Sequence, residues 1–308
     1  MPAETDTLTT IQDLVRWGAS RFAAAGLFFG HGTDNAFDEA AWLVAEALHM
    51  PVQRVAEYRD CRVTASEHAA VMALLERRVV ERRPAAYLTG RTWFAGLEFV
   101  VDDSVMIPRS PLAELIADGF APWLEPERIG RVLDLCTGSG SLGIAVAAHL
   151  PDVDVDLADI SPAALRVAAR NRSLHGLEER VRLLESDLFA GIGEQGYDVI
   201  VSNPPYVSTA EMELLPPEYR HEPRLAFAGG ETGLDLVLRI LRDAPDYLDD
   251  EGILLVEVGN SAAALQQRFP TVPFTWLEFE HGGEGVFLLR QQQLIEFHPR
   301  FSEAVVAS

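Results

Sequence analysis

Between residues 131 and 290 the chain alternates short apolar runs of β character with helical stretches, and few architectures accept that pattern. The runs Val132 to Cys136, Val153 to Ala158, Val181 to Glu185, Val199 to Ser202 and Ile253 to Val258 predict five strands with helices between them. Such alternation implies a parallel sheet with right-handed crossovers. The last pair, Phe274 to Phe279 and Gly285 to Leu289, is joined only by His281-Gly-Gly-Glu284. A joint that short makes an antiparallel hairpin, so the reading is an α/β fold whose seven-stranded sheet ends in a reversed strand.

Open sheets of this kind bind ligands at the carboxyl ends of their strands. The first strand runs into Leu133-Asp-Leu-Cys-Thr-Gly-Ser-Gly-Ser-Leu-Gly143. Gly138 and Gly140 let backbone approach a ligand, the following helix offers free N–H groups, and Asp134 is suited to an ammonium group. There is no Walker lysine and the spacing is not Gly-x-Gly-x-x-Gly, so phosphate binding ranks second. The next strand ends in Asp159-Ile160, about 20 residues beyond the glycines, where a carboxylate takes ribose hydroxyls. Just ahead of Ser161-Pro162, Asp159 is also a candidate helix cap. The third strand ends in Asp187-Leu188-Phe189, an acceptor for an adenine amino group beside two apolar walls. Together these ends predict a nucleoside-type cofactor.

The fourth strand leads into the stretch that the chemistry turns on, Asp198-Val-Ile-Val-Ser-Asn-Pro-Pro-Tyr206. Pro204 and Pro205 remove two backbone donors and fix φ, which leaves a stiff loop. In it the Asn203 side-chain oxygen and nearby carbonyls can accept from an NH2 group, and Tyr206 offers a flat face. A plain strand-ending turn is the duller reading of the same four residues.

Residues 8 to 83 read as three amphipathic helices. One face carries Ile11, Leu14, Val15, Gly18, Phe22 and Ala25, another Phe37, Ala40, Ala41, Val44 and Leu48, and a third Val71, Met72, Leu75 and Val79. Asp34 or Asn35 caps the second, and Thr64-Ala-Ser-Glu67 has capping-box spacing for the third. Arg77, Arg78, Arg82 and Arg83 read as a solvated face at its end. From Tyr87 to Ile107 the texture is β-like, with a hairpin at Ala95-Gly96, and a helix follows from Leu112 to Trp123. The residues from about Gln291 onward read as a loosely held tail. The expected division is a helical domain over 1–84 for substrate recognition, a β-hairpin linker over 85–110 and a catalytic domain over 111–308.

Formal net charge is −22, which disfavours a partner bound through phosphates and suits a basic protein. All 25 basic residues are arginine. Cys61 and Cys136 form neither a disulfide framework nor zinc spacing, and no metal is implied. Met1 to Leu8 lacks the features of a signal peptide, no apolar run is long enough for a membrane span, and a cytoplasmic protein is expected.

Asp134-x-Cys-x-Gly-x-Gly140, Asp159, Asp187 and Asn203-Pro-Pro-Tyr206 resemble the class I S-adenosylmethionine-dependent methyltransferases of the HemK/PrmC/PrmB group, over nearly the whole chain. That group methylates the side-chain amide (N5) of protein glutamines and joins a small N-terminal helical bundle to a Rossmann-like catalytic domain by a β-hairpin. The resemblance implies that Asp134, Thr137, Gly138, Gly140, Asp159, Ile160, Asp187, Leu188 and Asn203 hold S-adenosylmethionine. It further implies that Asn203 and the Pro204 carbonyl orient the amide and that Tyr206 packs on it. Cys136 departs from the group by standing where many class I enzymes carry the first glycine. Release-factor enzymes of the group continue as Pro-Arg-Pro-Glu/Asp-Thr-Glu, whereas this chain has Pro108-Arg-Ser-Pro-Leu-Ala-Glu114. That stretch, Pro217-Glu-Tyr-Arg-His-Glu-Pro-Arg224, Trp17 and Gly30 to Asn35 resemble the PrmB branch, which modifies a glutamine of the third large-subunit ribosomal protein (L-three). Tyr219, Arg220 and His221 follow that loop closely enough to join Asn203, Pro204, Pro205 and Tyr206 as a wall of the peptide site, a surface turn being the duller reading, with a ribosomal protein or assembly intermediate as partner and no sequence-specific nucleic-acid contact. The rival expectations are a release-factor methyltransferase, an adenine-amino methyltransferase of DNA or RNA, and a cofactor-binding assembly factor without catalysis.

Overall fold

The computed structural model describes residues 4–193 and 196–306. The reading of Met1 to Ala3 as leaderless falls outside them. The chain divides into two compact units, Met1–Thr92 with Pro216–His221, and Trp93–Leu215 with Glu222–Ser308.

In the first unit, α1 (Ile11–Ala24) starts from Thr10, whose side chain accepts the Asp13 N–H while the Asp13 carboxylate accepts the Thr10 N–H. α2 (Ala36–Ala47) is capped by Asn35, which accepts from the Phe37 and Asp38 N–H groups. After the single turn α3 (Val55–Tyr58), α4 (Ala65–Glu81) opens on the expected Thr64/Glu67 box. A Cβ on Gly18 would stand 2.9 Å from Leu75 and 3.2 Å from Ala40, so that glycine lets α1 lie close to both neighbours.

Arg78 corrects the reading of a solvated arginine face. It follows Val71 and Leu75 at helical spacing, so it shares their inward stripe and is fully buried. Its Nε donates to Glu39 at 2.6 Å and its Nη2 to the Phe28 carbonyl at 3.0 Å. Burial raises the Glu39 carboxyl, and Arg78 opposes the rise.

The expected β texture starts too early, because Ala85–Thr89 forms a short helix, α5, between Pro84 and a left-handed Gly90. β1 (Arg91–Phe94) and β2 (Leu97–Val100) then make the hairpin around Ala95 and Gly96, both at positive φ. α6 spans only Leu112–Ala117, since left-handed Gly119 and Phe120 and then Pro122 end it before Trp123.

The second unit is built on β3 (Arg131–Leu135), α7 (Ser141–His149), β4 (Asp154–Asp159), α8 (Pro162–Leu174), β5 (Val181–Glu185) and β6 (Tyr197–Ser202). The short α9 (Thr209–Met212), α10 (Asp235–Asp243), β7 (Leu248–Glu257), α11 (Ala262–Arg268), β8 (Thr275–Trp276), β9 (Val286–Arg290) and α12 (Gln291–Val306) complete it. The sheet order is β5-β4-β3-β6-β7-β9-β8, parallel from β5 to β7, with β9 antiparallel to β7 as expected. Strand pleat divides the core. Val199, Val201, Ile253 and Leu255 pack on one face with α6, α7 and α8, and Ile200, Leu254 and Val256 on the other with α10, α11 and α12.

The tail expected after Gln291 is instead a helix. Leu294, Phe301 and Ala304 are buried against α10 and β7, and this stripe outweighs the polar start and the internal Pro299. Among the described residues, no helix is long and apolar enough to cross a membrane.

Candidate active site

The carboxyl ends of β3, β4, β5 and β6 meet at one cavity of about 280 Å³ inside the second unit. Thr137, Gly138, Asp159, Ile160, Asp187, Leu188, Asn203 and Pro205 all line it, so the structure brings most of the expected site together.

The glycine turn explains its own composition. Cys136, Gly138 and Gly140 all have positive φ, at 59°, 56° and 83°, so Cys136 occupies a conformation that favours glycine. A Cβ on Gly138 would meet nothing within 4 Å, while one on Gly140 would stand 2.9 Å from Ile144 and 3.2 Å from Ala168. Gly138 thus bares backbone, and Gly140 lets α7 begin against α8. Gly143, not singled out from sequence, has a third role: its added Cβ would be 2.2 Å from Leu157, so it sets α7 close on the sheet.

Asp134 lies beneath this turn, fully buried. Its Oδ2 accepts from Thr137 Oγ1 at 2.5 Å and from the Gly143 N–H at 2.9 Å. Among the described residues, Oδ1 has no hydrogen-bond partner. Burial, chiefly, pushes the carboxyl up to about 7, with Asp159 adding to the rise. An orphaned, desolvated acceptor of this kind fits a cationic group.

Asp159 is more than a cap. Its Oδ1 accepts the Ser161 N–H and its Oδ2 the Gly138 N–H, each at 2.8 Å, and burial raises its carboxyl. Helix capping falls to Ser161, whose hydroxyl accepts from Ala164. Asp187 is paired with Arg239 at 2.9 Å, a partner more than fifty positions away that no local pattern marks. Leu188, at positive φ, lines the cavity with it.

At the end of β6, Asn203 is half-buried and Pro204 and Pro205 are buried. The loop is held from outside. The Val207 N–H donates to Phe227, Ser261 Oγ donates to the Tyr206 carbonyl at 2.9 Å, and Tyr206 Oη donates to Glu257 at 2.8 Å. The Tyr206 ring lies over Gly259, where a Cβ would stand 2.7 Å away. Glu257 is buried and also accepts from Ser110 Oγ at 2.6 Å.

Pro108, Arg109 and Ser110 form a wall of the cavity. Both Arg109 Nη atoms donate to Glu222 at 2.8 Å, and the Ile107 N–H joins them on the same carboxylate. Asn171, buried on α8, accepts the Val100 N–H and donates to the Val100 and Ser139 carbonyls, tying hairpin to glycine turn. Glu257 and Asn171 belong to no local motif, and Glu222, although within Pro217–Arg224, is defined like them by partners far away in sequence. Arg220 and His221 belong to the first unit, where His221 Nε2 donates to the Glu81 carbonyl.

The sheet order, the glycine turn over a buried acidic residue and the Asn-Pro-Pro-Tyr loop together define a class I methyltransferase that takes its methyl group from S-adenosylmethionine. Residues 118–215 match the methyltransferase small domain, and residues 13–90 the PrmC N-terminal domain. The ribosomal protein uL3 glutamine methyltransferase of Xylella fastidiosa is 51% identical over 98% of this chain and 96% of its own. That of Neisseria meningitidis serogroup B is 50% identical over 94% and 95%. The chain belongs to the family of ribosomal protein uL3 glutamine methyltransferases.

Proposed function

We propose that the chain transfers a methyl group from S-adenosylmethionine to the side-chain amide nitrogen of a glutamine in ribosomal protein uL3, free or within an assembly intermediate, in the cytoplasm. The observation that carries the reading is the half-buried Asn203 in a stiff loop on the same cavity as the glycine turn and Asp159.

Bound S-adenosylmethionine supplies an electrophilic methyl group on a sulfonium. The difficulty lies with the amide, whose nitrogen lone pair is delocalised into its carbonyl. In this reading Asn203 Oδ1 and the Pro204 carbonyl accept the two amide N–H bonds, favour a pyramidal nitrogen and aim its lone pair. Pro204 and Pro205 keep that pair of acceptors from relaxing, and Tyr206 packs on the amide. Catalysis of this kind is orientation and electrostatic preorganisation, and a strong base adds little. Asp134 takes the cofactor's ammonium, Asp159 the ribose, and Asp187 with Leu188 the base.

Two features support uL3 over a release factor or DNA. One is the relationship along the whole chain. The other is the charge of −22, which steers a basic ribosomal protein toward the enzyme and repels nucleic acid. Arg220 and His221 serve as peptide contacts. The test offers labelled cofactor and purified enzyme to free uL3, mature large subunits, a class I release factor and adenine-containing DNA. Label in uL3 is expected. Label confined to the release factor or to DNA overturns the substrate.

A further inference from the structure

Leu236 and Arg239 lie three positions apart on α10 and share a face, and both line the cavity with Asp187 and Leu188. The rest of that helix is core: Val237, Leu238, Ile240 and Leu241 are buried in one cluster with Leu188 and Phe189. Arg239 is therefore presented from a fixed support. The turn that carries Asp187 is fixed as well, since Ser186 Oγ donates to the Leu188 carbonyl at 2.5 Å and accepts the Gly191 N–H at 2.8 Å.

The Asp187 carboxylate itself is 49% exposed, so packing does not orient it. Its partner does: Arg239 Nη2 lies 2.9 Å from Oδ2. Among the described residues, no other group forms a hydrogen bond or ion pair with that carboxylate. With Oδ2 held, Oδ1 is the oxygen left for a ligand in the cavity that Asp187 lines. An ionised carboxylate accepts hydrogen bonds and donates none, so it matches an amino group and opposes a carbonyl oxygen.

We propose that Arg239 is a positioning residue for base selection in the cofactor: it holds the Asp187 carboxylate so that a fixed acceptor meets the exocyclic amine of adenine and a 6-oxo base is rejected. The inference rests on the reading of Asp187 as the contact for the base. Without Arg239 the carboxylate turns freely toward water, and an acceptor that is not held in place discriminates poorly. A lysine at 239 keeps a cation for the same oxygen, whereas a methionine keeps the length and offers no donor. An ion pair that water reaches contributes little to folding, so these replacements are expected to leave the fold intact.

The experiment measures affinity by calorimetry for S-adenosylhomocysteine and S-inosylhomocysteine, which carry an amino group and an oxygen at the position in question. It compares the parent with Arg239→Met, Arg239→Lys and Asp187→Asn. The parent is expected to prefer the adenosyl compound on the order of a hundredfold. Arg239→Met is expected to cut that preference to about tenfold or less, chiefly by weakening the adenosyl compound, and Arg239→Lys to restore most of it. Asp187→Asn is expected to abolish it, because an amide can turn its NH2 toward the oxygen. A parental preference in Arg239→Met alongside its loss in Asp187→Asn overturns the positioning role and leaves Asp187 as the base contact. That holds even if both ligands bind more weakly, since an equal loss makes Arg239 only a part of the cavity wall. An undiminished preference in Asp187→Asn, or none in the parent, overturns the underlying reading itself.

Discussion

Glu218 stands 190 positions beyond Phe28 in sequence, yet its Oε1 accepts the Phe28 N–H at 3.1 Å and the Arg82 guanidinium at 2.7 Å. Arg78 Nη1 lies 3.8 Å from the same oxygen. Removing one partner of a buried charged cluster leaves the others uncompensated, at about 3 kcal/mol. Glu218→Ala is expected to lose roughly that much stability in urea unfolding followed by a probe in the N-terminal unit. Exposed Glu213→Ala should stay within about 0.5 kcal/mol.

Asn203→Ala removes one of two proposed amide acceptors without touching the glycine turn. Turnover on uL3 is expected to fall on the order of a hundredfold or more while cofactor affinity stays nearly intact. Single-turnover kinetics and equilibrium binding check the two halves separately. Normal turnover would make the loop a plain strand end.

Asp134, pushed up to about 7, is partly protonated at neutral pH. An ammonium group beside it favours the carboxylate, so cofactor binding should expel a proton and tighten as pH rises toward neutrality. At pH 6.5, below the α-amino value of about 7.7, calorimetry in buffers of different ionisation enthalpy is expected to register the release. Asp134→Asn should bind more weakly and release none.

Gly143→Ala sets two effects against each other. Alanine gains about 1 kcal/mol of helix propensity, but its Cβ would stand 2.2 Å from Leu157 and 2.9 Å from Val155, both fully packed. Overpacking of that severity costs about 1–3 kcal/mol or more, so a net loss of stability is expected by thermal unfolding.

The sheet and most of the site were legible because each strand end carries its own short signal: the glycine turn, Asp159, Asp187-Leu188 and Asn203-Pro-Pro-Tyr206. The helices of the first unit were legible from apolar spacing and from Thr64 and Asn35. What escaped depends on distant partners. Arg78 looked like its arginine neighbours until Val71 and Leu75 fixed its face. Glu257 and Asn171 sit in no motif, nothing in Pro217–Arg224 marks Glu218 or Glu222 as a buried anchor, and only the fold brings Arg82, Arg109, Ser110 and Val100 to these four. Gln291-Gln-Gln293 and Pro299 hid a helix whose few buried residues, Leu294, Phe301 and Ala304, are widely spaced.

Pro216–His221 belongs to the first unit although Leu215 and Glu222 belong to the second. The chain therefore enters the N-terminal unit twice, and no single cut separates the two. A truncation starting near Trp93 would carry Glu218 away from Phe28, Arg78 and Arg82, leaving a charged orphan close behind the Asn-Pro-Pro-Tyr loop. A chimera that exchanges N-terminal units between relatives must transplant two pieces of sequence together. The long N-terminal segment and this six-residue insert are thus expected to change in concert, as a lock and its wards do.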